Sequence, residues 1–440
     1  MKRPLLAACA ATLAAGLAHA QQYPTGYGPN PALPKPEKSL LPTVNVAKAV
    51  PWPEGTAPVA AAGLRATPYA TGLQHPRWVY VLPNGDVLVA ETNRPPKETK
   101  GIREAVMGAA MKRAGAAAPA PHRITLLRGV DASGRAAQRS VLIEGLASPF
   151  GMALVGSDLY VANAHELLRF PYKEGDTTIA AKGTRVAALP AGINHHWTKS
   201  LVASPDGKKL YVGVGSNSNV AEKGMEIEEG RAAIWEFDRA SGKGRIFASG
   251  LRNPVGMAFN PQSRKLWVAV NERDELGNDL VPDYMTSVRD GGFYGWPYSY
   301  FGKNVDERVK PQRPDLVARA IVPDYALGSH TASLGLAFYD GKLMPQFANG
   351  ALVGQHGSWN RDPRSGYKLI FVPFANGMPS GPPQDLLTGF LSPDGEAYGR
   401  PVGVAVDKQG AILLADDVGN IIWRLTPAGA NTPTPAGGKQ

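Results

Sequence analysis

Residues able to move protons, grip anions and hydrogen-bond a polar ring recur just ahead of apolar strands in this chain. His196 lies ahead of Lys199-Ser-Leu-Val-Ala203, Arg252-Asn253 ahead of Pro254-Val-Gly-Met-Ala-Phe259, and Arg400 ahead of Pro401-Val-Gly-Val404. An imidazole titrates near pH 6.5 and can take a proton from a hydroxyl. A guanidinium presents a fixed fork of donors to carboxylates, and an amide both donates and accepts. Such residues make a site only if the fold brings their strands together.

The lead-ins belong to a degenerate repeat whose clearest copy is Gly250-Leu-Arg-Asn-Pro-Val-Gly-Met-Ala-Phe-Asn-Pro261. Other copies begin at Gln74, Ala147, His196, Thr331 and Gly399. Most are followed by a second apolar strand, such as Asp158-Leu-Tyr-Val-Ala162 or Lys265-Leu-Trp-Val-Ala269. Two strands per copy at this spacing predict an all-β fold, a six-bladed β-propeller whose blades carry insertions. In such a ring the lead-in to each innermost strand meets its equivalents around a central channel. One level of the mouth then collects Gln74, Ala147, His196, Arg252, Thr331 and Gly399; the next collects His75, Ser148, Trp197, Asn253, Ala332 and Arg400. Strand neighbours point to opposite faces, so only one of His195 and His196 can face the channel, and the repeat selects His196.

One inserted helix and three loop stretches stand outside the repeat. Ile102, Val106, Met107, Ala110 and Met111 recur at helical spacing among basic residues, predicting an amphipathic helix inserted between strands of blade one. Asn271-Glu-Arg-Asp-Glu-Leu-Gly-Asn-Asp279 is rich in oxygen donors suited to a hard cation such as calcium, without the spacing of an EF-hand. Gly291-Gly-Phe-Tyr-Gly-Trp-Pro297 offers tight turns and aromatic rings, and Phe347 to Asp362 adds His356 and Arg361 on a further loop.

Composition narrows the possibilities. Residues 1–20 have a basic start, an apolar run and an Ala18-His19-Ala20 cleavage pattern, which predicts a removed export signal and a periplasmic or secreted product. The only cysteine, Cys9, lies in that segment, so disulfide, thiolate and covalent haem chemistry are not expected of the mature protein. Residues 21–64 read as a Pro-rich arm, 65–426 as the propeller and 427–440 as an unstructured tail. No later apolar run is long enough to cross a bilayer. The formal charge of +10 suits an anionic ligand; there is no basic stripe interleaved with aromatics to suggest nucleic acid.

His196, the Gly250 to Gly256 motif and Gly291 to Pro297, taken in order, resemble the soluble pyrroloquinoline-quinone-dependent sugar dehydrogenases over residues 65–425. The Asn271 to Gly277 run and Gly291 to Tyr300 look most like the sorbosone dehydrogenase branch. The resemblance implies a planar tricarboxylate quinone cofactor, calcium, a small sugar substrate and a separate electron acceptor. It implies that His196 is the general base, that Arg252 contacts cofactor and substrate, and that Asn253 contacts the quinone. It also implies that Tyr294 lines the site, and that calcium rests on the backbone carbonyls of Asp274 and Glu275. The chain departs from the family at Leu146, where a glutamine is expected, and at His195, where an acidic residue is expected. Of two arginines in the last blade only Arg400 is present, and a family lysine near the junction of blades five and six has no clear match, although His356, Arg361 or Lys368 could replace it. A calcium-dependent lactonase and a non-enzymatic glycan- or protein-binding propeller remain open alternatives at this level, because one fold serves many functions.

Overall fold

The computed structural model describes residues 22–37, 43–95 and 102–429, with only the backbone for 102–107. The export signal, and the tail beyond Gly429, lie outside the described residues. The chain forms a six-bladed antiparallel β-propeller. Its innermost strands are Pro76–Val81, Met152–Val155, Lys199–Ala203, Pro254–Phe259, Ser333–Phe338 and Pro401–Val406. Second strands such as Val87–Glu91, Leu266–Val270, Ala351–Gln355 and Ile412–Asp416 are buried at every position, because both of their faces pack against other residues of the ring. That is why they read as unbroken apolar runs rather than alternating ones.

The glycine of the repeat has a steric cause. A Cβ on Gly256 would stand 2.5 Å from the Leu336 amide nitrogen, and one on Gly403 would stand 2.9 Å from the Arg77 carbonyl oxygen. Neighbouring innermost strands therefore touch backbone to backbone, which only glycine allows. At the same places the ladders slip, between Pro254 and Met257 and between Pro401 and Val404. Such bulges turn the preceding residues toward the mouth.

The ring closes in blade six, where Leu64–Ala70 pairs antiparallel with Ile421–Pro427. The arm ahead of it wraps the propeller. Tyr27–Gly28 adds to the edge strand Tyr325–Ser329 of blade four, and Val59–Ala60 to Gln384–Thr388 of blade five. Trp52 packs on Phe390, Tyr398 and Trp423 and donates to Asp416 at 2.9 Å. Covering strand edges in this way blocks edge-to-edge pairing.

The inserted helix, Ile102–Arg113, lies between the second and third strands of blade one. Its end is tied down where the Ala49 amide donates to the Arg113 carbonyl at 2.8 Å. The return segment is held by Asn93, whose Nδ2 donates to the carbonyls of Ala116 and Ala118. Lys112 and Arg113 face solvent.

Candidate functional site

Lead-ins to the innermost strands and segments leaving the second strands share one end of the ring, and their backbones interlock. The Thr92 amide donates to the His75 carbonyl, Ser216 to Arg252, and Asn271 to Asn253. The polar residues of the mouth are thus fixed by the main chain of adjoining segments.

His196 has a determined tautomer. Its Nδ1 lies 2.9 Å from the Ser216 carbonyl oxygen and 3.0 Å from Ser216 Oγ. The Ser216 hydroxyl proton is committed to the Ser218 carbonyl at 2.6 Å, so both oxygens beside Nδ1 are acceptors. Nδ1 must carry the proton, which leaves the Nε2 lone pair free. Burial, then the charges of Arg252 and His195, hold the imidazole well below its ordinary pKa, so it is neutral at pH 7. Its backbone is clamped by Arg231, which donates to the carbonyls of His196 and Gly215, each at 2.9 Å, and to Asn194 Oδ1. His195 is exposed, yet the protein around it, then the charges of Arg252 and Arg94, push its pKa to about 4. Lys199 is fully buried with Asn194 Oδ1 and the Trp197 carbonyl as partners, and burial drives its pKa well below normal.

Asn253 faces His196 across Gly215: a Cβ on that glycine would collide with both side chains. Asn253 Oδ1 is buried without a partner. The guanidinium of Arg252 is well supplied with acceptors, donating to the Glu272 carbonyl at 2.7 Å, to Asn219 Oδ1 at 2.9 Å and to Asp274 at 3.4 Å. Asp274 also accepts from His330 and Asn360. Against its burial, His330 and Arg252 hold the Asp274 carboxyl at about 2.

Across the mouth Asp417 takes Arg77 at 2.5 Å and His356 Nε2 at 3.0 Å. Burial keeps His356 neutral, its pKa pushed down to about 4, so the standing charge pair is Asp417 with Arg77. Arg400 lies over the Tyr367 ring, 4.9 Å from its centroid, and its Nε and Nη2 are buried without partners, as is Nε of Arg77. Arg94 is exposed at the rim. Asp274 and Asp417 are each already paired with a cation. An added anion would therefore meet a basic surface with N–H groups to spare, which fits a planar polycarboxylate.

Other candidate residues are engaged elsewhere. The Tyr294 hydroxyl donates to the Ser287 carbonyl at 2.8 Å, and its ring belongs to the core beside Tyr284 and Leu280. Arg361 is spent on the Asn278 carbonyl, the Pro363 carbonyl and Asp279. Lys368 pairs with Asp385 at 2.8 Å. The carbonyls of Asp274 and Glu275 each accept one side-chain hydrogen bond at 3.3 Å, from Asn219 and Arg308. Each retains a second lone pair, so peptide oxygen is what this loop offers a cation. Among the described residues no group of three or more His, Cys, Asp or Glu could hold a metal.

Sequence reasoning passed over Arg77, Ser216, Arg231, His330 and Asp417. Arg77 follows the proline of the same repeat, and Asp417, His356, Asn271, Gly215 and Thr92 each come directly after a second strand. The ends of the second strands therefore carry a second collar of mostly polar residues, a signal present in the sequence at the close of each apolar run. The ladder also shows a one-residue slip. His196 stands three residues before Lys199, whereas Arg252 stands two before Pro254, although Lys199 and Pro254 pair equivalently with Val214 and Val270.

The sequence profile described as TrAA12-like matches residues 58–287 and 314–428. The chain belongs to the TrAA12-like family. An uncharacterized protein of Borreliella burgdorferi is 31% identical over 243 residues, covering 54% of this chain and 63% of that one. A protein of Coprinopsis cinerea named pyrroloquinoline quinone-dependent pyranose dehydrogenase is 24% identical over 422 residues, covering 82% of this chain and 53% of that one. This TrAA12-like chain thus spans less than two thirds of the length of either relative. A calcium structure of a Trichoderma reesei carbohydrate-active enzyme of family AA12 superposes with a TM-score of 0.68 at 20% identity, covering 88% of this chain and all of that one. Agreement at that identity concerns the fold.

Proposed function

We propose that this TrAA12-like protein is an exported quinoprotein dehydrogenase that oxidises an aldose or aldehyde sugar, glucose- or sorbosone-like, and passes the electrons to a separate acceptor. The observation that carries this reading is His196, a neutral imidazole with Nδ1 committed to Ser216 and Nε2 free, set in a mouth with unpartnered guanidinium N–H groups. The name of the Coprinopsis relative supports the choice of cofactor.

Oxidation of a sugar C–OH to C=O removes one proton from oxygen and one hydride from carbon. Pyrroloquinoline quinone, when bound, supplies the two-electron acceptor for that hydride. Arg400, Arg77 and Asn253 would hold it through their spare polar atoms, and a calcium ion, if used, would rest on the Asp274 and Glu275 carbonyls. His196 Nε2 takes the hydroxyl proton as general base. Its low pKa keeps the lone pair available at neutral pH, and the Ser216 contact stops the ring from turning. Arg252, locked by Glu272, Asn219 and Asp274, supplies a fixed positive charge beside the base. That charge disfavours the imidazolium and hastens loss of the proton to solvent after turnover.

The test is titration of the purified protein with pyrroloquinoline quinone, with and without calcium. Cofactor absorbance and dye reduction are followed with a panel of aldoses and sorbosone, beside His196→Ala. Saturable binding with dye reduction that vanishes in the variant is expected. Absence of binding at micromolar cofactor with calcium present would sink the reading, and lactone hydrolysis and glycan binding would then be assayed.

A further inference from the structure

Behind His196 lies a buried polar assembly built on Glu228, Asn217 and Ser218. Glu228, 5% exposed, sits on the short 3-10 turn Glu226–Glu228. One of its carboxylate oxygens accepts the Asn217 amide at 2.7 Å; the other accepts the Ser218 hydroxyl in a short hydrogen bond. Asn217 Nδ2 adds a bond to the Ile227 carbonyl at 2.9 Å. Four consecutive residues, Ser216 to Asn219, are thereby anchored to this turn, and both ends of that segment reach the mouth. Ser216 supplies the two acceptors that face His196 Nδ1. Asn219 accepts from Arg252 Nη2 and the Asp274 amide, each at 2.9 Å, and its carbonyl accepts Trp296 Nε1 at 3.0 Å.

We propose that Glu228 is a positioning residue: it holds the Ser216–Asn219 segment so that Ser216 fixes the Nδ1–H tautomer of His196 and Asn219 seats Arg252. The kinetic part of this inference rests on the dehydrogenase reading; the structural part does not. A buried carboxylate accepting two hydrogen bonds is a strong tether. A carboxylate two contacts away from the imidazole orients it without adding a negative charge that would raise its basicity. Groups of this kind that orient a functional histidine typically matter by about 10- to 100-fold.

The experiment uses protein labelled with [15N]histidine, with the His196 resonances assigned by their loss in His196→Gln. Wild type should show His196 as the Nδ1–H tautomer. Glu228→Ala should show a mixture of tautomers and, with cofactor loaded, a fall in kcat of about 10- to 100-fold. Glu228→Gln should recover most of both, because its amide oxygen still takes the Asn217 N–H and the Ser218 hydroxyl can reverse to accept. If Glu228→Ala does not fold, Ser218→Ala removes the same tether more gently, and an intermediate tautomer mixture is expected there. An unchanged tautomer in a folded variant overturns the proposal. If wild type oxidises no sugar, the dehydrogenase reading fails and the tautomer alone decides the role of Glu228.

Discussion

Replacing Gly215 by alanine tests whether His196 and Asn253 share one wall of the mouth. The new Cβ would stand 2.5 Å from His196 Cβ, and closer still to Asn253 Oδ1. Carbon atoms at rest need about 3.5 to 4.0 Å, so the imidazole or the strand end must retreat by roughly 1 Å. Overpacking of this kind costs about 1–3 kcal/mol, and a displacement of roughly 1 Å at reacting groups costs about 100-fold in rate. Dye reduction with saturating quinone should show that loss in kcat/KM, while the urea midpoint falls by the smaller stability cost. Gly108→Ala is the control, because nothing lies within 4 Å of its Cβ position in the inserted helix; there alanine should be neutral or stabilise by up to about 1 kcal/mol. Wild-type kcat/KM and midpoint in Gly215→Ala would refute the convergence of the two side chains on this backbone.

Asp417→Asn removes the counter-charge of the buried Arg77 and should cost about 3–5 kcal/mol in equilibrium unfolding. His356 and Arg77 depress the Asp417 carboxyl against its burial, so its stabilisation is present above the unfolded pKa of about 3.9 and lost as pH falls below it. The gap between wild type and variant should therefore hold down to about pH 4 and then narrow; a gap that closes near neutrality would contradict the pairing. For catalysis, the acid limb of kcat/KM should lie below 6.5, because burial, Arg252 and His195 lower the pKa of His196; a limb at or above 6.5 would argue against His196 as the base. Trp52→Ala strips the arm of its aromatic anchor and leaves Asp416 with one donor fewer. About 2 kcal/mol should be lost in urea unfolding, with kcat unaffected, and a drop in kcat instead would tie the arm to the site.

The ring was legible because its physics repeats. An inner strand followed by an apolar second strand recurs from blade to blade, and a leading proline with a glycine at the inter-strand contact marks Pro254 to Phe259 and Pro401 to Val406 alike. The arm was legible only as a proline-rich stretch, since strands as short as Tyr27–Gly28 carry no periodicity. Within the site, His196, Arg252, Asn253 and Arg400 were found because they sit at the lead-ins. Arg77 and Asp417 were missed because an ion pair between residues 340 apart leaves no local signal. Tyr294 and Arg361 show the reverse difficulty. A tyrosine in a glycine-rich loop and an arginine in a polar one look available in sequence, yet Ser287 and Asn278 with Asp279 occupy their polar groups.

Blade six joins two distant stretches of chain through the pairing of Leu64–Ala70 with Ile421–Pro427, and the same blade supplies Arg400 and Asp417. The mouth and the seam are therefore completed in a single event. Contacts so far apart in sequence form late and slowly, because the intervening loop must first be closed. Until then Arg77 has no carboxylate and the anion-binding side of the mouth does not exist. A ligand that grips Arg400 and Arg77 together would act as a staple across the seam, slowing its opening. Because the grip is lost when the seam opens, the stability such a ligand adds would appear as a longer lifetime against unfolding.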